Sequence, residues 1–397
     1  MDDAIRQLIQ AIHDSAPRAV FAAAGAGSRA LADLLGVAGA SRTLLEALIP
    51  YAADSFDEFL GRAPEQYVSA ETGRMMAGRA LARAHHLREL ESYPIVGLAC
   101  TATIATDRPK RGEHRAHVAA WSPECLLTRT LYLEKGARDR PGEEELVSRL
   151  ILDVLGEACG IGVADDAGVA DDAQRPPLPL GPGDSLSADS IDYATAAARL
   201  HRGEIDWFGI QPDGTLGSET PPAAVLSGSF NPLHGGHTGL AEVAGALLGA
   251  PVAFEVSAAN VDKPPLEQGL LLDRLSQFAG RWPVVAGNAP TFVEKSRLYP
   301  GAAFVVGFDT AARIIHPRYY GDSETNMLAA LAEMAGRGNR FLVAGREGDD
   351  GLFHELAELR LPDGFAGLFA PIPGHQFRND ISSTEIRAAL KAEADKQ

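Results

Sequence analysis

Gly228-Ser229-Phe230-Asn231-Pro232-Leu233-His234-Gly235-Gly236-His237 follows an apolar run, Ala223 to Ser227, and leads into a helical stretch from Thr238 to Leu248. A strand that turns through glycines into a helix presents backbone N–H groups and a positive helix end to an anion, and the glycines let a phosphate approach the backbone closely. Two imidazoles set two glycines apart at that mouth can donate to phosphate oxygens. An isolated HxxH also suits a structural or metal-binding pair, so the surrounding sequence has to decide.

Downstream, strands and helices alternate: Val252 to Ser257, Leu270 to Phe278, Phe304 to Val306, Asn326 to Met334, Arg340 to Val343, and a last helix near Ser383 to Ala394. This pattern predicts a doubly wound, Rossmann-like, mostly parallel α/β sheet with its site at the strand C-terminal ends. The final helix opens on Ile381-Ser382-Ser383-Thr384-Glu385-Ile386-Arg387. Three hydroxyls, a helix N-terminus and an arginine one turn inside make a second anion site, although Ser and Thr are also ordinary N-caps. Together the two motifs can hold a stretched polyphosphate, which suits displacement at an α-phosphate with pyrophosphate leaving.

GSFNPLHGGH with ISSTEIR resembles the HxGH nucleotidylyltransferase superfamily, in particular its nicotinamide mononucleotide adenylyltransferase branch, over about residues 223 to 394. The resemblance implies that His234 and His237 hold the nucleotide phosphates and stabilise charge on the α-phosphate. It implies that Ser382, Ser383, Thr384 and Arg387 grip the β- and γ-phosphates, with Gly228, Ser229, Phe230, Asn231 and Ile381 lining the nucleotide. ATP with Mg2+ is the implied donor. The family uses no covalent nucleophile, because the acceptor's own phosphate attacks.

Lys263, in Val261-Asp262-Lys263-Pro264-Pro265, stands where the family often places a phosphate-binding lysine, and reads equally as a solvated loop residue. Gly307-Phe308-Asp309 resembles a family Gly-x-Asp element that contacts nucleotides, and Asp309 can equally cap the helix after it. Tyr319 and Tyr320 stand where many relatives stack a Trp on the pyridine ring, and read equally as a core or surface aromatic pair. Arg378-Asn379-Asp380-Ile381-Ser382-Ser383-Thr384 departs from the Arg-Thr-x-Gly-Ile-Ser-Thr-Thr signature of the cytidylyltransferases, which favours adenylyl transfer. Pantetheine phosphate and flavin nucleotide acceptors stay open beside nicotinamide or nicotinate mononucleotide.

Upstream, residues 1–160 read as another α/β domain. An amphipathic helix (Ile5, Leu8, Ile9, Ile12) precedes a strand at Ala19 to Ala23, the small-residue turn Gly25-Ala26-Gly27-Ser28 and a helix through Leu35. Ser69 caps a further helix, strands follow at Tyr93 to Thr103, Arg115 to Trp121 and Leu126 to Leu133, and Glu143 to Cys159 closes the domain. Residues 161–184, with the near-duplicate VADDAGVADDA and QRPPLPLGPGD, read as an acidic linker rich in Pro and Gly. Residues 185–222 read as a short helix and hairpin connecting to the domain that fills 223–397.

The N-terminal order is similar to the C-terminal domain of the competence-damage-inducible protein CinA, whose active members deamidate nicotinamide mononucleotide. The points of likeness are Leu48-Ile49-Pro50-Tyr51, Val68-Ser69-Ala70-Glu71 and Cys100-Thr101-Ala102-Thr103. Active relatives carry a Ser-Cys-Thr-Gly-Gly type turn; here it is Ala23-Ala24-Gly25-Ala26-Gly27-Ser28. The lysine expected after the Tyr is replaced by Ala52-Ala53-Asp54-Ser55. Deamidation needs an activated nucleophile, so the domain reads as degenerate. Gly25, Gly27, Thr101, Thr103 and Arg115 remain candidates for a ligand site, and Arg108, Lys110, Arg111, His114 and Arg115 for a local phosphate contact or a solvated loop. Gly25-x-Gly27-x-x-Ala30 loosely matches the dinucleotide fingerprint but lacks the later acid-bearing strand. A bifunctional amidase acting through Thr101 or Thr103, and a nucleotide sensor without turnover, are the rival readings.

The 397 residues carry 36 Lys and Arg against 53 Asp and Glu, a formal charge of −17 that argues against nucleic acid or an anionic membrane as partner. Small-molecule nucleotides are the expected partners, with homo-oligomerisation through the N-terminal domain if that domain binds none. Cys100, Cys125 and Cys159 are dispersed, without a CxxC pair, and no metal site of the chain's own is expected. The absence of a long apolar run or a basic leader reads as a cytoplasmic protein.

Overall fold

Ile5, Leu8, Ile9 and Ile12 form the buried side of helix α1 (Asp3–Asp14), which Asp2 caps by accepting the Ile5 N–H at 2.8 Å. This is the amphipathic pattern of the sequence turned into core. The computed structural model describes residues 1–88, 93–107, 111–163, 175–259, 264–348 and 351–378. Among them the chain is α/β throughout and divides into two units. The first comprises Met1–Thr195 with Gln211–Thr215 and Ser276–Arg281, and the second the remainder.

In the first unit β1 (Arg18–Ala24) leads to α2 (Ser28–Gly36), β2 (Leu44–Leu48), α3 (Ala53–Leu60) and α4 (Ala70–Leu87). Strands β3 (Ile95–Thr103), β4 (His114–Trp121) and β5 (Cys125–Leu133), helix α5 (Arg140–Ala158) and β6 (Ser185–Asp192) follow. The described sheet runs β2-β1-β3-β4-β5-β6, with β1 parallel to β2 and β3 and the later pairs antiparallel. Phe21, Leu98, Val118, Leu150 and Ile151 belong to the core that α1, α2 and α5 share with the sheet.

Two stretches differ from the sequence reading. Ser185–Asp192, grouped there with the connector, is an edge strand paired along its length with β5, from Ser185 opposite Tyr132 to Asp192 opposite Cys125. The described end of the linker is pinned: Arg175 binds Asp153 (2.9 Å) and Glu157 (3.0 Å), and Asp184 binds Arg138 (2.6 Å) and the Gly181 N–H (2.7 Å). Charge pairing supplies the attachment that its composition does not advertise. Residues 164–174, including most of the duplication, lie outside the described residues.

The second unit takes α6 (Tyr193–His201) from Ala196 onward, then β7 (Trp207–Ile210), β8 (Leu216–Gly217), β9 (Ala224–Ser227), α7 (Gly235–Leu248), β10 (Ala253–Ser257), α8 (Gln268–Ser276) and β11 (Val284–Gly287). It continues with α9 (Phe292–Leu298), β12 (Ala303–Gly307), α10 (Phe308–Ile314), α11 (Glu324–Gly336), β13 (Arg340–Ala344), the ribbon β14 (Arg346–Glu347) and β15 (Phe353–His354), and β16 (Phe369–Ile372). The described sheet order is β16-β13-β12-β9-β10-β11-β7-β8. The first six of these are mutually parallel, and β7 and β8 add an antiparallel edge. Burial of Val225, Phe254, Val305 and Phe341 matches the short continuous apolar runs of a sheet covered on both faces. No described helix is long and apolar enough to cross a membrane.

Candidate functional site

Following the chain through the parallel strands of the second unit, β9, β10 and β11 spread to one side while β12, β13 and β16 spread to the other. The order therefore reverses between β9 and β12, and α/β sheets bind ligands in the crevice outside the strand carboxyl ends at such a reversal. Leu226 lies opposite Val305, so the turns after Ser227 and Gly307 leave the sheet as neighbours. These turns are Gly228 to His234 and Gly307-Phe308-Asp309. Two elements singled out in the sequence thus meet at one place.

The first turn is braced from beneath. The Gly228 N–H donates to the Glu255 carbonyl at 3.0 Å, and a Cβ on Gly228 would lie 2.7 Å from the Phe230 ring. Phe230, at a φ of 42°, is 1% exposed and packs edge-on against Phe254 (5.3 Å) and His237 (4.9 Å). The sequence reading has Phe230 lining the nucleotide; its large apolar ring is the prop under the turn. The Glu255 side chain is buried too, with both carboxylate oxygens held by Lys295. Lys295 is therefore the buried counter-charge of an interior acid.

Above the prop, Ser229, Asn231 and Gly235 are exposed, and a Cβ on Gly235 would meet nothing within 4 Å. His234 is the N-cap of α7, and His237 stands in its first turn. Their rings stack with centroids 3.6 Å apart and an interplanar angle of 28°, while the His234 N–H donates to His237 Nδ1 at 3.3 Å. Burial lowers the pKa of both, and the charge of a protonated His234 helps to bring His237 to about 4. At neutral pH the pair is an uncharged donor set at a positive helix end.

Across the reversal, Gly307 is the N-cap of α10 and supplies no side-chain cap. Asp309 instead reaches Arg346 of β14 at 2.6 Å, and Phe308 stacks on His354 of β15 at 5.3 Å. Arg346 and His354 were missed in the sequence. A cation just beyond a predicted strand end, where a doubly wound sheet keeps its ligands, was the available signal for Arg346. The two tyrosines part company: Tyr320 packs at the core and donates to the Ile314 carbonyl (2.9 Å), whereas Tyr319 is exposed.

Lys263, Ile381, Ser382, Ser383, Thr384 and Arg387 lie outside the described residues, as does the expected last helix. The chain leading to the second motif is described as far as Arg378. Phe377 lies 3.5 Å from where a Cβ on Gly239 of α7 would be, and Arg378 covers the Phe353 ring at 4.9 Å.

Of the first unit's candidate residues, Gly27 and Thr101 are buried and Gly25, Thr103 and Arg115 are half-buried. Gly25 (φ +88°) passes beneath the Ala102 carbonyl, where a Cβ would lie 1.9 Å from the oxygen. The Gly27 N–H, Ser28 Oγ and Arg29 N–H all donate to Glu144 Oε1, at 3.0, 3.0 and 3.1 Å. A carboxylate of the chain itself thus occupies the start of α2. Thr101 donates to the Tyr67 carbonyl (2.6 Å) and Arg115 to the Val68 carbonyl (2.9 Å), clamping the segment before α4. Thr103 ends β3 opposite Arg115. Of the basic cluster, Arg108 and Lys110 fall outside the described residues, and His114 binds the buried Glu143 at 2.8 Å.

The chain matches no family model and no curated protein. Among solved structures it is similar to a competence/damage inducible protein from Agrobacterium tumefaciens, at 20% identity and a TM-score of 0.33, covering 40% of this chain and 98% of that one. A competence-damaged protein (CinA) superfamily protein from Enterobacter cloacae gives 16% identity and a TM-score of 0.32, over 40% and 90% of the two chains. Its counterpart from Escherichia coli gives 16% and 0.29, over 39% and 91%.

Proposed function

We propose that the second unit is a nucleotidylyltransferase that moves AMP from ATP to a phosphorylated mononucleotide, with nicotinamide or nicotinate mononucleotide the favoured acceptor. The observation that carries this reading is the placement of His234-Gly235-Gly236-His237 at a helix N-terminus on the sheet's strand-order reversal, beside Gly307-Phe308-Asp309. In the proposed step an acceptor phosphate oxygen forms a bond to the α-phosphorus while the bond to the bridging oxygen breaks and pyrophosphate leaves. The histidines and the open first turn of α7 meet the negative charge that gathers on the α-phosphate. Among the described residues no group of three or more His, Cys, Asp or Glu is placed to cage a metal. In the proposed step Mg2+ would arrive on the phosphates of ATP, whose charge it would partly neutralise.

For the first unit we infer a CinA-like domain without amidase activity. Ala23 and Ala24 offer no hydroxyl in the turn where active relatives carry one, and Thr101 is 1% exposed with its hydroxyl engaged by Tyr67. A soluble, cytoplasmic enzyme acting on small nucleotides is the setting that fits. The test is a pyrophosphate-release screen of ATP and CTP against phosphorylated acceptors, run with an ammonia assay on nicotinamide mononucleotide. Pyrophosphate from ATP with a pyridine mononucleotide, and no ammonia, is expected. No release with any pair would refute the transferase reading, and steady ammonia release would refute the other.

A further inference from the structure

The two ring nitrogens of His237 stand in different surroundings. Its Nδ1 lies 3.3 Å from the His234 backbone nitrogen, and a backbone N–H can only donate, so Nδ1 must present a lone pair. In a neutral imidazole the proton then resides on Nε2. The ring cannot readily turn over to exchange the two nitrogens, because it is stacked on His234 at 3.6 Å and meets the Phe230 edge at 4.9 Å. Protonating Nδ1 would set two donors against each other and break the bond that closes the first turn of α7. Among the described residues, the groups facing the ring are the apolar Phe230 and the imidazole of His234, neither of which offers a negative charge to hold an imidazolium.

We propose that His237 is locked as the neutral Nε2–H tautomer and serves as a fixed, uncharged hydrogen-bond donor, its Nδ1 engaged in shaping the turn. The identity of the receiving atom, an oxygen of the transferring phosphate, rests on the transferase reading; the tautomer does not. A donor set in place before the substrate arrives needs no reorganisation during the reaction. The mechanism this excludes is proton donation by His237 to the leaving pyrophosphate, since that would require its imidazolium.

Nitrogen-15 NMR of the full-length protein at neutral pH, with the His237 signals identified by their loss in His237→Gln, reads the tautomer directly. A protonated Nε2 and a bare Nδ1 are expected; an Nδ1–H tautomer or an imidazolium would overturn the proposal. Two variants separate the two jobs. His237→Asn can still accept from the His234 N–H but lacks the outer donor, so it should keep the wild-type melting temperature and lose about 10² to 10³-fold in turnover. His237→Gln reaches the Nε2 position with an N–H, and should melt earlier yet turn over about tenfold faster than the Asn variant, the worth of one neutral hydrogen bond. Equal turnover and equal melting in the two variants would refute the division of labour. If the wild type transfers no nucleotide, the transferase reading fails while the NMR result still decides the tautomer.

Discussion

The β1–α2 turn and the β9–α7 turn both carry a buried parallel strand through glycines into a helix N-terminus. At α2, Glu144 of α5 stands at the helix start, accepting from Gly27, Ser28 and Arg29. At α7 the chain supplies no such carboxylate among the described contacts, and open space lies over Gly235. The glycines also differ in purpose. Gly25 is required because any side chain would strike the Ala102 carbonyl, whereas Gly235 has room for one and leaves that room above the helix end. At Gly25 the glycine turn is a packing joint, and in the proposed function the turn at Gly235 is an anion seat, the difference set by what a distant part of the chain puts beside each.

The largest effect that can break this comparison is on catalysis. His237→Ala should lower nucleotidyl transfer by about 10² to 10³-fold, roughly 3 to 4 kcal/mol of transition-state stabilisation, with circular dichroism unchanged. Turnover near wild type in the folded variant would remove the α7 turn from the chemistry. Next comes a pair of glycine substitutions. Gly25→Ala should destabilise the first unit by about 3 kcal/mol or more, adding a backbone clash to a conformation that itself costs about 1 to 3 kcal/mol for a residue with a side chain. Gly235→Ala should leave thermal stability intact and weaken ATP binding. Thermal melts and ATP titrations of both variants decide this, and a stability loss at Gly235 as large as that at Gly25 would erase the distinction.

How far these differences were legible in the sequence follows from how local their causes are. The His234 to His237 motif, the strand before it and the helix after it are contiguous, so periodicity and glycine spacing place them within a few residues. The second unit's alternation is equally visible because each strand is a short apolar run. Glu144 is 117 residues from Gly27, and nothing near either residue announces the bond. Strand β6 escaped for another reason: as an edge strand it is exposed at all but Ile191, so it carries no apolar face to count. Phe230 carries two signals, a place in the motif and a large apolar ring, and the structure puts that ring in the core beneath the turn.

A smaller effect concerns acid. His117 on β4 is buried, and burial, aided by Arg115, depresses its pKa to about 4. Because the folded value lies below the ordinary 6.5, its contribution to stability is complete above that value and is lost as pH falls toward about 4. The full loss is on the order of 3 kcal/mol. Amide exchange along β4 and β5 should accelerate on acidification, and His117→Gln should blunt that acceleration. Equal acid sensitivity in variant and wild type would assign the effect to other groups.

The smallest expected effect tests the first turn itself. Glu144→Ala removes the carboxylate that satisfies two backbone N–H groups and a hydroxyl at the start of α2, with an expected loss of about 1 to 2 kcal/mol for a partly exposed anion at a helix end. What remains is a vacated turn with the geometry of an anion seat. Inorganic phosphate should then slow amide exchange at Gly27 and Arg29 in the variant and leave those amides unaffected in the wild type, where Glu144 already fills the position. The nucleotidyl transfer rate should not change, because the carboxylate belongs to the first unit alone. If phosphate protects these amides equally in both proteins, Glu144 is not what keeps the seat closed. If it protects them in neither, the β1–α2 turn is shaped only for packing, and its likeness to the β9–α7 turn ends at the backbone.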